Sequence, residues 1–135
     1  MDLRNSVQVS ASGLRAQSLR MRVISENLAN QDSVATAPGA DPYRRRVVVF
    51  QPDVRGADAT QGVRVRAIAT DQSAFGRVYQ PGHPAADEAG YVQRPNVNGL
   101  IESADMRAAQ RSYEANLNAI EAARGMTMRT IDLLK

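Results

Sequence analysis

The sequence predicts an α+β protein with two long terminal α-helices in a coiled-coil-like stack and a small β-rich middle unit. Apolar residues recur every three or four positions at both ends of the 135-residue chain, which is helical spacing. Five of the six aromatic residues and all six prolines lie in or beside the middle, where apolar and charged residues alternate. We therefore divide the chain into an N-terminal helix (1–30), a connecting loop (31–42), a β-rich unit (43–97) and a C-terminal helix (98–135).

The N-terminal helix is predicted by an unbroken heptad frame without proline. Gly13 weakens it by about 1 kcal/mol relative to alanine, and Asn27 and Asn30 near its end are predicted caps or turn formers. Six apolar and two small or polar residues occupy the frame: Leu3, Val7, Ser10, Leu14, Gln17, Met21, Ile24 and Leu28.

The C-terminal helix is predicted to begin near 98–99, with Asn98 or Ser103 as its N-cap. Two asparagines, Asn116 and Asn118, lie in mid-helix, where asparagine has poor helix propensity. They either fix the register or a subunit contact, or they are simply exposed to solvent. The recurring stripe consists of Met106, Ala109, Tyr113, Leu117, Ile120, Ala123, Thr127, Ile131 and Leu134.

The middle unit is predicted to contain four strands and one tight turn. The turn is the Pro-rich segment 80–84, in which Gly82 would permit a positive φ angle. The strands are expected at Tyr43–Phe50, Val63–Ala69, Phe75–Tyr79 and Tyr91–Gln93.

The composition excludes several chemistries. There is no cysteine, so neither a disulfide framework nor a cysteine-based zinc module is possible. His83, with Asp87 and Glu88, offers the residue types of a metal site or a hydrolase, but no regular element brings them together. We expect His83 to be a turn residue, and we expect no enzyme, cofactor, metal or small-molecule substrate.

The net charge of +3 is too small to indicate a nucleic-acid partner by itself. The densest basic run, Arg44–Arg46, either binds a phosphate or lipid headgroup or starts a strand and pairs with carboxylates of the same or a neighbouring chain. We favour the pairing. The alternative function is a small arginine-rich, nucleic-acid-binding coiled-coil protein that also uses Arg64 and Arg66. The longest run of large apolar residues, Val47–Phe50, is far too short to span a bilayer, which needs about 20 residues.

Segments along almost the whole chain resemble a known family. Ala11–Gln17 and Val23–Asn30 resemble the N-terminal helix signature of the bacterial flagellar rod and hook axial proteins. Two further segments, Val78–Asp87 and Gly90–Asn98, narrow the resemblance to the proximal-rod members. The short segments Pro42–Arg46, Asp105–Met106 and Arg111–Asn116 match as well, whereas Gln31–Asp41 departs from the family pattern and its conformation stays open.

The resemblance implies a structural, self-assembling subunit of the periplasmic rod that transmits torque. Such proteins cross the flagellar type III export apparatus without a cleaved signal peptide. The implied partners are other rod proteins, copies of the same chain, and the junction between the export gate and the MS ring. Both terminal helices would pack into the tubular wall, so we expect these subunit-packing residues: Val7, Leu14, Met21, Ile24, Asn27, Leu28, Asn30, Tyr113, Asn116, Leu117, Ile120 and Ile131.

Overall fold

A computed structural model describes residues 2–55 and 60–135. Two terminal helices flank a β-rich middle along the chain, which confirms the predicted α+β class. Met1, which belongs to the predicted N-terminal helix, and residues 56–59 of the predicted β-rich unit lie outside the described residues. In chain order the elements are α1 (Leu3–Ala29), β1 (Arg46–Arg55), β2 (Thr60–Thr70), β3 (Gly76–Tyr79), β4 (Tyr91–Arg94) and α2 (Gly99–Leu133).

Helix α1 runs for 27 residues without a break, through Gly13. Asn30 caps its C-terminal end: both its backbone N–H, at 3.1 Å, and its Nδ2, at 2.8 Å, donate to the Glu26 carbonyl in the last turn. Ser33 Oγ in turn donates to Asn30 Oδ1 at 3.1 Å. The predicted capping role of Asn30 is confirmed.

Helix α2 runs for 35 residues from Gly99. The backbone N–H of Leu100 donates to Asn98 Oδ1 at 3.0 Å, which is the side-chain bond of an N-cap. Asn98 is therefore the N-cap, and the alternative at Ser103 was wrong because the helix has already begun four residues earlier.

The strands form two separate two-stranded antiparallel sheets, β1–β2 and β3–β4. The predicted start of β1 at Tyr43 was wrong: the Tyr43 N–H is bonded to the Ser33 carbonyl at 3.0 Å, and pairing with β2 begins only at Arg46. The strand also continues through Pro52 to Arg55. A proline is tolerated there because each strand of a two-stranded sheet keeps one unpaired edge.

The β3–β4 hairpin pairs Val78 with Val92 and Tyr79 with Tyr91. Its connection contains the predicted turn at 80–84, but the positive φ angle lies at Gly90 (87°) and not at Gly82. Gly90 is required for a second reason, since a Cβ there would lie 2.8 Å from a ring carbon of Tyr79.

The chain divides into two compact units. Unit 1 comprises Met1–Met21, Val48–Ala67 and Arg107–Lys135, and unit 2 comprises Arg22–Val47 and Ile68–Met106. Within unit 1, α1 packs on β2 through small groups: Ser12 Oγ accepts the Val63 N–H at 3.0 Å and donates to the Val9 carbonyl at 2.6 Å. A Cβ at Gly62 would lie 2.7 Å from Ser12 Oγ, so glycine permits this approach.

Within unit 2, the buried apolar side chains include Val23 and Ile24 on α1, Ala85 in the hairpin connection and Val92 on β4. The buried polar side chains of this unit are Asn27 and Glu102, and they organise the site described below. Neither α1 nor α2, over the residues that the structure describes, has an apolar stretch long enough to cross a membrane.

Candidate functional site

A buried polar cluster in unit 2 joins three segments of the chain. Asn27 comes from α1, the segment Tyr43–Arg46 leads into the start of β1, and Glu102 lies in the first turn of α2. Asn27 is 1% exposed and Glu102 is 0% exposed. Polar groups buried to this extent require partners, because an unpaired one loses its hydration without compensation.

Asn27 uses its whole hydrogen-bonding capacity. Its Nδ2 donates to the Arg46 carbonyl at 2.8 Å and to Glu102 Oε2 at 3.1 Å. Its Oδ1 accepts the Tyr43 hydroxyl at 2.7 Å and the Arg46 N–H at 3.0 Å. Two donors and two acceptors are the complete inventory of an amide side chain. The prediction that Asn27 caps the helix or forms a turn was wrong, because its partners are tertiary.

Arg45 distributes its guanidinium over three carboxylates. Nε donates to Glu102 Oε1, Nη1 lies 3.4 Å from Asp71 Oδ2, and Nη2 lies 3.3 Å from Asp105 Oδ2. A planar guanidinium can do this because its five N–H donors are spread over three nitrogens in a fixed geometry. Its backbone N–H is also held, donating to Asn96 Oδ1 at 2.7 Å.

The flanking arginines are engaged as well. Arg44 lies over the ring of Phe75, 4.1 Å from its centroid, and donates to the Asp71 carbonyl at 3.0 Å and to the Ser73 carbonyl at 3.2 Å. Arg46 Nη1 lies 3.2 Å from Glu26 Oε2. Pairing of this arginine run with carboxylates is therefore confirmed for Arg45 and Arg46. The nucleic-acid alternative is not supported, because these cations already have partners within the chain.

The cluster shifts three pKa values. Burial alone would lower the pKa of Arg45. The hydrogen bonds and negative charges of Glu102 and Asp71 together outweigh burial, so the pKa is raised. Hydrogen bonds from Ser73, its backbone N–H first, lower the pKa of Asp71, and Arg45 adds to this. Burial raises the pKa of Tyr43, which keeps its hydroxyl a donor to Asn27.

A second ordered feature of unit 2 is the connection between β3 and β4. Asp87 Oδ1 accepts the Tyr91 N–H at 2.9 Å, and this bond is the largest cause of the lowered pKa of Asp87. Arg77 pairs with Asp87 at 3.0 Å and lies over the ring of Tyr91, 4.7 Å from its centroid. Tyr79 packs against Tyr91 edge to face, with ring centroids 5.3 Å apart.

His83 is a turn residue, as predicted. Its N–H donates to the Gln80 carbonyl at 3.0 Å, its carbonyl accepts the Ala86 N–H at 3.0 Å, and its Nδ1 accepts the Ala85 N–H at 3.0 Å. Asp87 is committed to Tyr91 and Arg77. In residues 2–55 and 60–135, no group of three histidine, aspartate or glutamate side chains is placed to hold a metal ion.

The predicted subunit-packing residues differ in how far one chain covers them. Ile24 and Asn27 are buried in unit 2, whereas Leu117 is 40% exposed and Ile131 is 46% exposed on α2. The remaining eight are half-buried: Val7, Leu14, Met21, Leu28, Asn30, Tyr113, Asn116 and Ile120. Their packing role against other subunits stays a prediction.

Of the two mid-helix asparagines, Asn118 is exposed and Asn116 is half-buried. Asn116 Nδ2 donates to the Ser112 carbonyl at 2.8 Å, and its side chain lies against Gly13 of α1 within unit 1. A Cβ at Gly13 would lie 2.7 Å from both amide terminal atoms of Asn116. Gly13 thus marks a close helix contact, whereas a Cβ at Gly125 would meet nothing within 4 Å.

Sequence reasoning missed the acceptors of the cluster. Glu102, Asp71 and Asn96 were not predicted to be partners of the arginine run. The one available signal was the run Arg44–Arg46, whose three cations require anionic partners nearby.

Comparison with known proteins decides the family. A family model described as "Flagellar basal body rod FlgEFG protein C-terminal" matches residues 88–133, which include β4 and almost all of α2. The flagellar basal-body rod protein FlgC of Agrobacterium fabrum is 48% identical over 128 residues, which cover 95% of this chain and 92% of the relative. The chain belongs to the FlgC family of flagellar basal-body rod proteins.

FlgC relatives from distant bacteria agree. The FlgC protein of Salmonella typhimurium is 42% identical over 133 residues, with 98% of each chain covered. That of Bacillus subtilis is 41% identical over 146 aligned positions, with 97% of each chain covered. The FlgC family consists of structural rod components, so the chain is a structural protein of the flagellar basal body and functions in motility.

Proposed function

We propose that this chain is a self-assembling subunit of the proximal rod, which packs through its terminal helices against other rod proteins and copies of itself and transmits torque. The observation that carries the proposal is the apolar surface of α2. Leu117, Met128 and Ile131 share one side of the helix by its 3.6-residue period, and each is 40–54% exposed in a single chain. Exposed apolar residues that share one helix face are typical of contacts with other proteins.

Helix α1 supports the same proposal. In unit 1 its buried side is small and polar, with Ser10, Ser12 and Ala16 against the rest of the unit. The large heptad residues Val7, Leu14 and Met21 are only half-buried. These side chains gain further burial only when another protein covers them, at about 25 cal/mol per Å² of apolar area.

The finer location follows from the same proposal. The rod subunit would reach the periplasm through the type III export apparatus without cleavage of a signal peptide, and it would contact the junction between export gate and MS ring at the base of the rod. A tube of helices held together by buried side chains would resist torsion, because rotation of one subunit would have to displace side chains packed against its neighbours.

The test is to place a charge within each proposed stripe. Leu14→Asp and Ile120→Asp should each be synthesised and exported but should abolish swimming and leave no complete rod by electron microscopy of basal bodies, because assembly would bury an unpaired carboxylate. Ser18→Asp and Asn118→Asp put the same charge at exposed positions of the same helices and should swim normally. Normal swimming by Leu14→Asp and Ile120→Asp would refute the proposed packing surface.

Torque transmission is tested with milder changes. Leu117→Ala and Ile131→Ala remove exposed apolar area without adding charge. We expect rods that assemble but break more often under viscous load, scored as cells that stop rotating while their detached hooks accumulate. Breakage at the wild-type rate at every load would contradict a load-bearing role for this face.

A further inference from the structure

Helices α1 and α2 contact each other in both units, and one contact from each unit shows the same spacing along the two helices. In unit 1, Gly13 lies against Asn116. In unit 2, Asn27 Nδ2 donates to Glu102 Oε2 at 3.1 Å. Two heptads separate Gly13 from Asn27 along α1, and two heptads separate Glu102 from Asn116 along α2. A single antiparallel register therefore satisfies both contacts.

The apolar pattern by itself does not select this register. One heptad before and after Asn116 lie Ala109 and Ala123, which are 0% and 5% exposed. An alanine opposite Gly13 is at least as compact as the asparagine found there. Helices whose apolar residues repeat every seven positions can slide by one heptad and keep their apolar faces together.

The polar cluster does distinguish the registers. We propose that Asn27, Arg45 and Glu102 form a register lock, which holds α1 and α2 in the observed alignment by penalising heptad slips. A slip in either direction moves Glu102 away from Asn27, whose four hydrogen bonds are otherwise complete. It also separates Glu102 from Arg45, which is fixed through its own backbone to Asn96. Stranding one member of a buried charge pair is strongly unfavourable.

The lock goes beyond the proposed rod role, because it concerns pairing within one chain. Arg45 and its neighbours enter from a third segment, so the lock also fixes where the chain turns into β1. A buried polar residue that sets helix register at some expense in stability is well attested in coiled coils. Here the Asn27 amide and the Arg45–Glu102 ion pair set the helix register together.

Disulfide trapping measures the register directly, since the chain has no cysteine of its own. A Cβ at position 13 would lie 2.8 Å from Asn116 Cγ, the atom bonded to Asn116 Cβ, so the two Cβ atoms are at most about 4.3 Å apart, which is inside the upper limit of roughly 4.5 Å for a disulfide. Gly13→Cys with Asn116→Cys reports the observed register. Gly13→Cys with Ala109→Cys or with Ala123→Cys reports a slip of one heptad in each direction.

The three cysteine pairs are oxidised mildly in the purified full-length chain, and cross-links are quantified by mass spectrometry. With the lock intact, we expect the 13–116 yield to exceed each slipped yield by at least about 10-fold. In the background Arg45→Met with Glu102→Leu, which removes both charges and leaves Asn27 bonded to Arg46 and Tyr43, the three yields should come within about 3-fold of each other. Arg77→Met, the same change at an exposed pair of unit 2, should leave the ratio unaltered.

Either of two results with these cysteine pairs would overturn the lock. One is a 13–116 pair that still dominates by about 10-fold in the Arg45→Met/Glu102→Leu background, which would assign the register to apolar packing. The other is equal formation of all three pairs with the lock intact. If the double variant loses its helical circular dichroism, Glu102→Gln takes its place, because it keeps the side-chain volume and removes only the charge. That variant should lower the ratio about 3-fold or more, and an unchanged ratio would refute the lock. Swimming is not a readout here, so failure of the lock leaves the rod role standing.

Discussion

Replacing Arg45 alone should be far more damaging than its partial exposure suggests. Arg45→Met leaves Glu102, which is 0% exposed, without its cation while the carboxylate stays buried. Breaking a buried pair by removal of one partner costs about 3–5 kcal/mol. We take the lower end, about 3 kcal/mol, because water reaches the Arg45 side chain, which is 20% exposed. The contacts with Asp71 and Asp105 add at most about 1 kcal/mol each, since both carboxylates are partly solvated.

The assay is urea unfolding of the purified chain, followed by circular dichroism. A loss of about 3 kcal/mol lowers the midpoint by about 2 M for a protein of this size. The midpoint of Arg45→Lys should lie between those of the wild type and Arg45→Met, because the single nitrogen of an ammonium cannot reach all three carboxylates that the three guanidinium nitrogens contact. Arg77→Met is the matched control on an exposed pair and should scarcely move the midpoint. A midpoint for Arg45→Met equal to that of Arg77→Met would refute the argument that burial of Glu102 makes Arg45 indispensable.

Three further predictions concern other contacts. Gly13→Ala gains about 1 kcal/mol of helix propensity but brings a methyl group against Asn116. It should therefore be neutral or destabilising alone, and stabilising when combined with Asn116→Ala. Additive free-energy changes in the double-mutant cycle would contradict the contact. Gly62→Ala should destabilise the protein by about 1–2 kcal/mol, because its methyl group displaces the Ser12 hydroxyl from β2. In urea unfolding, adding Ser12→Ala should recover most of the lost stability. If it recovers none, the hydroxyl is not the cause. The lowered pKa of Asp71 contributes stability that is present above its unfolded pKa of 3.8 and is lost as the pH falls through the folded pKa. Asp71→Asn should therefore make the free energy of unfolding depend less on pH below 3.8. An unchanged pH dependence in this range would show that Asp71 does not cause the loss of stability in acid.

Periodicity and turn residues were sufficient to predict both helices and the two short strands β3 and β4. Those elements depend on residues close in sequence: a heptad frame, the Asn98 cap, and a proline-rich turn between two short alternating runs. The boundaries of β1 were harder to predict from the sequence. The start at Arg46 depends on a hydrogen bond from Tyr43 to Ser33, and the passage through Pro52 depends on the strand having an unpaired edge.

The polar cluster could not be predicted for a related reason. Asn27 finds its partners 16 to 75 residues away, and nothing local distinguishes a buried asparagine from a capping one. Asn30, three positions on, does cap the helix. Glu102 occupies the first turns of α2, where a carboxylate is common on an exposed surface for dipole reasons. Its burial becomes apparent only when α1, the approach to β1 and α2 are placed together.

The bond from the Tyr43 hydroxyl to Asn27 also makes the protein its own spectroscopic probe. The chain has no tryptophan and four tyrosines, so its near-ultraviolet absorption and intrinsic fluorescence come almost entirely from the latter. Three of them, Tyr43, Tyr79 and Tyr91, belong to unit 2, and only Tyr113 belongs to unit 1. Tyr43 senses the cluster, and the edge-to-face pair Tyr79–Tyr91 senses the hairpin. Loss of order around Asn27 can thus be followed in unlabelled protein, and Tyr43→Phe would silence that signal while the hairpin signal persists.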